Sequence, residues 1–147
     1  MDIYETEINE KVMRELIRLS AEWAAENSCY GYVENKAGDI EGNRVFLAEE
    51  GGEVLGYLFG HVSSSKNMWS VMPEGTPFFE VEEIFVTAPR RSKGIGSALF
   101  RCAEDAVRGE AEYLVLSTAT KNWRAVFRFY IDELDMDFWS ARLFKKI

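Results

Sequence analysis

The residues "RRSKGIGS", Arg90 to Ser97, put three cationic side chains directly ahead of two glycines. A helical pattern starts there, with Ile95, Ala98, Leu99, Cys102, Ala103, Ala106 and Val107 recurring on one face. A strand, a glycine turn and a helix start make an anion site. The N–H groups of the first helical turn lack intrahelical partners and carry the positive end of the dipole. Glycine lets the backbone approach a guest with no Cβ in the way. Arg91 and Lys93 add charge, so phosphate is the natural guest. The alternative is that Gly94 and Gly96 only close a tight strand-to-helix turn. A second cluster lies just upstream, where Glu80, Glu82 and Glu83 crowd the strand pattern "FFEVEEIFVT". Strict alternation puts Glu80 and Glu82 on one face and Glu83 on the other. Such carboxylates take up a proton or hold an ammonium, or else they are surface charge at a sheet's rim.

The phosphate ligand narrows by elimination. The Walker pattern of glycine, four residues and Gly-Lys-Ser/Thr is absent, and Leu99 stands where a dinucleotide fingerprint needs its third glycine. What remains, Arg91-x-x-Gly94-x-Gly96, resembles the pyrophosphate-binding motif of the GCN5-related N-acetyltransferase (GNAT) family, which binds acetyl-CoA. "EVEEIFVTAPRRSKGIGSALF" looks like that family's fourth strand, proline turn, motif and third helix in order. The hairpin pattern at 45–62 looks like its second and third strands, and "LVLSTATKNWRAVFRFY" like its fifth strand and the helix after it. The resemblance covers roughly residues 45–144. It implies an α/β fold with a mixed, mostly antiparallel sheet of six or seven strands and helices on both faces. Two departures stand out. Asn122 and Tyr130 are eight apart where the family spaces them by seven, and Asp137-Phe138 replaces the family's Gly-Phe.

The same resemblance implies roles. Backbone groups of Ile84, Phe85 and Val86 pair with the pantetheine arm and face the acetyl carbonyl, where the fourth and fifth strands splay. Arg91, Lys93, Gly94, Ile95, Gly96 and Ser97 hold the pyrophosphate, and Asn122 contacts the arm. Tyr130 is the candidate general acid, and an ordinary phenol pKa of about 10 suits proton donation to a thiolate. It also sits on an apolar helix face, so the alternative is a core tyrosine, but its place in the Phe-Tyr motif favours the catalytic role. "EEIFV" resembles a stretch of the spermidine/spermine acetyltransferases whose first acidic residue helps deprotonate the amine. That residue maps to Glu82, acting through water, with Glu83 orienting the cationic substrate.

The implied activity is acetyl transfer from acetyl-CoA to a primary amine by direct transfer in a ternary complex. The acceptor is expected to be a small cationic amine, polyamine-, diamine- or aminoglycoside-like. The alternatives are a peptide or protein amine as acceptor, or a non-catalytic acetyl-CoA sensor.

The elements that must position these groups follow from periodicity. "INEKVMRELIRLSAEWAAEN" carries Val12, Leu16, Leu19 and Trp23 on one helical face. "RVFLAEEGGEVLGYLFGHV" is two β-rich runs around Gly51-Gly52, a hairpin signal. Residues 28–43 read as a loop with a short helix, and "SSSKNMWSVMPEGTP" as a long polar loop near which Trp69, Phe78 and Phe79 line the acceptor pocket or pack the loop. "YLVLST" reads as a buried strand, "NWRAVFRFYIDEL" as a helix and "DFWSARLF" as a last strand. The predicted order is α, β, β, β, α, β, α, β.

A chain of 147 residues predicts one domain over 1–147. The net charge of −8 argues against nucleic-acid binding. It is unevenly spread, with 6 Lys/Arg against 17 Asp/Glu in residues 1–86 and 11 against 8 beyond. That is either a solvated acidic surface or one half suited to a cation and the other to an anion. No apolar run suits a membrane span, and the acidic N-terminus has no signal-peptide pattern, so a cytoplasmic protein is expected. Cys29 and Cys102 form no disulfide framework or zinc spacing, and with His61 the only histidine, no metal is expected. Cys102 and His61 read as structural. The apolar "FWSARLF" predicts a sheet edge that is a single strand or is covered by a second subunit in a homodimer.

Overall fold

The computed structural model describes residues 1–147. After β1 (Asp2–Thr6) comes α1 (Glu10–Glu26), whose N-terminus is capped by Asn9, its side chain accepting from the Val12 N–H at 2.9 Å. Val12, Leu16 and Leu19 are buried along this helix, as their spacing predicts, and Asn27 ends it in the left-handed region at φ 53°. A short α2 (Ala37–Ile40) leads into the hairpin of β2 (Arg44–Glu50) and β3 (Glu53–Ser64) around Gly51-Gly52. The loop 65–76 is held by Ser65, whose hydroxyl donates to the Pro73 carbonyl at 2.8 Å and accepts from the Thr76 N–H at 2.9 Å. Then follow β4 (Pro77–Val86), α3 (Ile95–Val107), β5 (Tyr113–Val115) and α4 (Trp123–Phe127). The last of these opens directly into a π-helix, Arg128–Glu133.

The strands form one sheet in the order β1-β2-β3-β4-β5, antiparallel except for the parallel β4–β5 pair. Each face has its own core. Phe46, Leu58, Phe79, Leu99, Phe100 and Ala103 join the sheet to α3. Leu16, Leu19, Ile40, Tyr57, Phe59 and Phe85 join the other face to α1 and α2. Burying a Leu or Phe side chain contributes roughly 1.5–3 kcal/mol, so these two clusters fix how both helices sit on the sheet. Truncating Leu16, fully buried, to alanine should cost about 2–5 kcal/mol through lost contact and a cavity. No helix is long and apolar enough to cross a membrane.

The mixed, mostly antiparallel sheet with helices on both faces matches expectation, but it has five strands, not six or seven. Two differences account for the order of elements. β1 has no alternating apolar pattern of its own; it is a strand because β2 offers a free edge, with Tyr4 opposite Leu47 and Glu5 tied to Arg44 at 2.7 Å. Conversely "DFWSARLF" forms no strand, and residues 135–147 have no regular structure. An added strand needs a row of paired partners. The adjoining β5 is only three residues long, so it offers too little edge. Phe138, Leu143 and Phe144 are left exposed.

A β-bulge decides where the glutamates point. In the β3–β4 pair, Phe59 faces Glu83 and Gly60 faces Val81, leaving Glu82 as the extra residue. A bulge shifts the pleat by one. Phe79 and Val81 therefore pack toward α3 before it, Ile84 and Val86 after it, and Phe85 packs toward α1. Strict alternation is thus overturned: Glu80 and Glu83 share the α1 side. Gly60 makes the bulge possible, because a Cβ there would lie 2.1 Å from the Glu80 carbonyl oxygen.

Candidate active site

Parallel pairing of β4 and β5 stops at Glu80 opposite Val115. Beyond it the strands part, and residues 81–86 run on with no strand beside them on that side. The gap opens a cleft of about 890 Å³ lined by both strand ends, the glycine turn, the end of α1 and the α4–π segment. Its far wall is closed by the loop after α1. There Tyr30 N–H bonds the Ala119 carbonyl at 3.0 Å and Lys121 N–H bonds that of Ser28 at 2.8 Å.

Most of the residues expected to bind or react converge on this cleft. Ile84, Phe85, Val86, Arg91, Gly94, Ile95, Gly96, Ser97, Asn122, Glu82, Glu83 and Tyr130 all line it. Lys93 does not; its side chain is exposed outside the lining. Cys29 also lines the cleft, close to Tyr130, whereas Cys102 packs half-buried against the α3 core. Phe79 is in the core and Trp69 is 78% exposed, so neither forms a cleft wall, nor does Phe78.

At the phosphate end, Gly94 precedes α3 in the left-handed region at φ 82°, and a Cβ there would meet nothing within 4 Å. The turn thus leaves open space in front of the first-turn N–H groups. That space, with the unpaired edge of β4, is what a pyrophosphate and a peptide-like arm require, so the residues present fit acetyl-CoA. Arg91 is held by the Val86 carbonyl at 2.8 Å and by Glu26 at 2.5 Å, and lies 5.2 Å over the Phe85 ring. The Ser97 hydroxyl donates to Glu133, and Arg90 is paired with Glu50. Two carboxylates, Glu26 and Glu133, therefore stand at this end of the cleft.

At the other end Glu83 is fixed by three donors on one oxygen. Tyr57 Oη lies 2.7 Å, Tyr32 Oη 2.9 Å and Asn35 Nδ2 2.9 Å from its Oε1. Ser20 links the set, its hydroxyl donating to Tyr32 Oη at 3.0 Å and accepting from the Asn35 backbone N–H at 2.6 Å. Trp23 stacks on Tyr32 at 4.1 Å and on Phe85 at 5.4 Å, giving the pocket an aromatic wall. Burial pushes the Glu83 carboxyl above its usual range, against the three hydrogen bonds that lower it. Burial likewise pushes Tyr57 and Tyr32 up, which keeps both as neutral donors. Glu82 is more exposed, and its Oε1 lies 3.6 Å from His61 Nδ1.

Tyr130 lies in the π-helix, whose i→i+5 bonds include Leu134 N to Phe129 O at 3.1 Å. Burial, with Cys29 nearby, raises the phenol above its ordinary value. Its proton is held more tightly than the ordinary phenol value assumes, which makes it first a hydrogen-bond donor. No group of three or more His, Cys, Asp or Glu side chains is gathered to hold a metal.

Sequence reasoning missed the holders of Glu83. Tyr32, Asn35 and Ser20 come from a helix and a loop with no shared spacing, and Tyr57 read only as one member of the alternating β3 run. Glu26 and Glu133 carry no signal either, since their meeting with Arg91 and Ser97 is tertiary.

Comparison with known proteins agrees with this geometry. The profile of the acetyltransferase (GNAT) family matches residues 11–131. No curated protein sequence matches the chain. Among solved structures, an aminoglycoside N-acetyltransferase, AAC(6')-Iy in complex with CoA, superposes with a TM-score of 0.70 at 15% identity, over 99% of this chain and 98% of that one. A soil-metagenome aminoglycoside acetyltransferase in complex with trehalose gives 0.70 at 14% identity, over 99% and 95%. The ribosomal-protein-alanine N-acetyltransferase of Brucella melitensis gives 0.69 at 18%, over 99% and 100%. At such identities these structures speak for the fold, while the profile spans most of the chain, including the glycine turn and the splayed strands. The chain belongs to the acetyltransferase (GNAT) family and is an acetyl-CoA-dependent N-acetyltransferase.

Proposed function

We propose that the acceptor is the primary amine of a small cationic molecule, acetylated by direct transfer with both substrates in the cleft. One observation carries this reading: a single cleft is lined at one end by the glycine turn and the open first turn of α3 and holds an anchored, half-buried carboxylate, Glu83, at the other. A carboxylate held by three neutral donors on one oxygen keeps its other oxygen for the ligand, and an ammonium is the complementary guest. Two of the fold's neighbours are named for aminoglycosides, which are polycationic amines, and this supports the same class.

Acetyl-CoA, when bound, supplies a thioester carbonyl and a thiol leaving group. Arg91 and the N–H groups of Ile95, Gly96 and Ser97 would hold its pyrophosphate, with Lys93 adding charge from the rim. The unpaired backbone of Ile84, Phe85 and Val86 would hold the arm and donate toward the carbonyl as negative charge develops there. Asn122, at the start of α4, would contact the arm. Glu83 holds the ammonium and Glu82 takes its proton through water, while Tyr130 donates a hydrogen bond to the sulfur as charge develops on it. With no nucleophile required from the chain, Cys29 stays outside the reaction.

The exposed Phe138, Trp139, Leu143 and Phe144 support a homodimer that covers the β5 edge. A monomer mass in light scattering at micromolar concentration would remove that part. The function itself is tested by thiol release with a panel of polyamines, diamines, aminoglycosides and peptide amines. Turnover with the small cationic amines is expected. Preference for peptide amines would move the acceptor class, and CoA binding without any turnover would favour a sensor.

A further inference from the structure

We propose that Glu26 receives a second cationic group of the acceptor, in the place that Arg91 takes in this structure, so that diamines and polyamines bind cooperatively with acetyl-CoA. The inference deepens the reading of the acceptor as a small cationic amine and rests on it.

Arg91 is claimed twice. Its Nη2 donates to Glu26 at 2.5 Å, and its Nε donates to the Val86 carbonyl at 2.8 Å. Both ties involve groups assigned to acetyl-CoA: Val86 belongs to the backbone that holds the arm, and Arg91 to the set that holds the pyrophosphate. A pyrophosphate carries more negative charge than one carboxylate, and the forked guanidinium matches phosphate oxygens as well as it matches carboxylates. Arg91 therefore leaves Glu26 when it takes up the pyrophosphate. Glu26 makes no other ion pair, and its side chain is only 21% exposed. Its second oxygen has just the Ser28 hydroxyl, 3.5 Å away. A largely buried carboxylate that loses its cation is destabilised, because neither water nor another charge replaces it. A cation brought by the acceptor removes that cost.

The position suits an acceptor that also reaches Glu83. Both carboxylates line the cleft, and an aromatic wall lies between them. Tyr32, which donates to Glu83, stacks on Trp23 at 4.1 Å, and Trp23 stacks on Phe85 at 5.4 Å. Arg91 lies 5.2 Å over the Phe85 ring, and Glu26 follows Trp23 by about one turn of α1. An aliphatic chain with an ammonium at each end packs its methylenes on these rings and meets a carboxylate at either side. An alkylamine with one ammonium reaches Glu83 alone and leaves Glu26 without a cation. Coupling between two ligands is reciprocal, so a diamine that favours acetyl-CoA binding is itself favoured by it.

The test uses the full chain with CoA as the binding probe, since CoA carries the pyrophosphate and the arm but no acetyl group to transfer. By calorimetric titration, saturating CoA should tighten the binding of α,ω-diamines roughly 5- to 150-fold and that of the matching alkylamines much less. Glu26→Gln keeps an oxygen for Arg91 without the charge. It should bind CoA alone more tightly than the wild type and lose the coupling. It should also lower the ratio of diamine to alkylamine kcat/KM roughly 10- to 100-fold. A Glu26→Gln variant that binds CoA like the wild type, or more weakly, overturns the proposal, because Glu26 then does not compete for Arg91 or only aims it at the phosphate. So does equal coupling for diamines and alkylamines, or coupling that survives in Glu26→Gln. Glu83→Gln separates the two levels. An alkylamine KM unchanged by Glu83→Gln removes the cationic-acceptor reading and this inference with it. A raised KM there, beside an unaltered diamine preference in Glu26→Gln, removes the second cation's place alone.

Discussion

Gly94→Val offers a quantitative test of the phosphate end. The residue lies at φ 82°, where an L side chain is strained, it lines the cleft, and a Cβ there would meet no protein atom within 4 Å. The left-handed conformation costs a non-glycine residue roughly 1–2 kcal/mol. At about 2–4 °C per kcal/mol for a domain of this size, Tm should fall by roughly 2–8 °C with the fold kept. The same side chain would hold a phosphate off the first-turn N–H groups. Losing one hydrogen bond to a charged group costs about 1.5–3 kcal/mol, or roughly 10- to 100-fold in Kd. Gly109 supplies a matched control, since it has φ 100° and also no atom within 4 Å of a built Cβ, but it lies past the far end of α3. Gly109→Val should lower Tm comparably and leave acetyl-CoA affinity untouched. Calorimetric titration with acetyl-CoA and thermal melts of both variants decide the matter. Equal Kd for Gly94→Val and the wild type, with both folded, would refute the phosphate assignment.

Tyr130→Phe removes only the hydroxyl. If that group serves the sulfur, kcat should fall by roughly 10²–10⁴ with acetyl-CoA affinity unchanged; a pure core role predicts near-normal kcat. Glu83→Gln keeps an oxygen for Tyr57, Tyr32 and Asn35 but loses the charge, so the amine KM should rise while acetyl-CoA binding holds, and steady-state kinetics read the split. The same variant tests a pH effect. The Glu83 carboxyl titrates higher in the folded chain than in the unfolded one, so its cost to stability is absent at acid pH. That cost grows as pH rises from the ordinary carboxylate value to the raised one, then stays constant. Urea melts should therefore show Glu83→Gln gaining on the wild type across that window, and a difference flat with pH would count against the buried carboxylate. Glu133→Gln removes an exposed carboxylate from the phosphate end; exposed pairs are worth at most about 1 kcal/mol, so acetyl-CoA should bind up to roughly fivefold tighter by titration.

Local patterns settled much of this protein without its tertiary structure. The stripe from Val12 to Leu19 and that from Ile95 to Val107 are helix faces because apolar side chains recur at the helical period. Arg91, Gly94 and Gly96 announce a turn into a helix start because strand, turn and cap are contiguous in the chain. What depends on neighbours in space was not legible. β1 is a strand only because the β2 edge lies open to it, and "DFWSARLF" is not one because β5 is too short to pair. Alternation failed at the glutamates because one extra residue, tolerated by Gly60 on the partner strand, shifts the pleat between Glu80 and Glu83. Glu83 is an anchored carboxylate only because Tyr32 and Asn35 from one loop and Tyr57 from β3 reach the same oxygen. Sequence carries information that repeats along the chain or lies within one turn of it. The charge, burial and aim of a side chain are set by atoms tens of residues away, and only the folded chain brings those together.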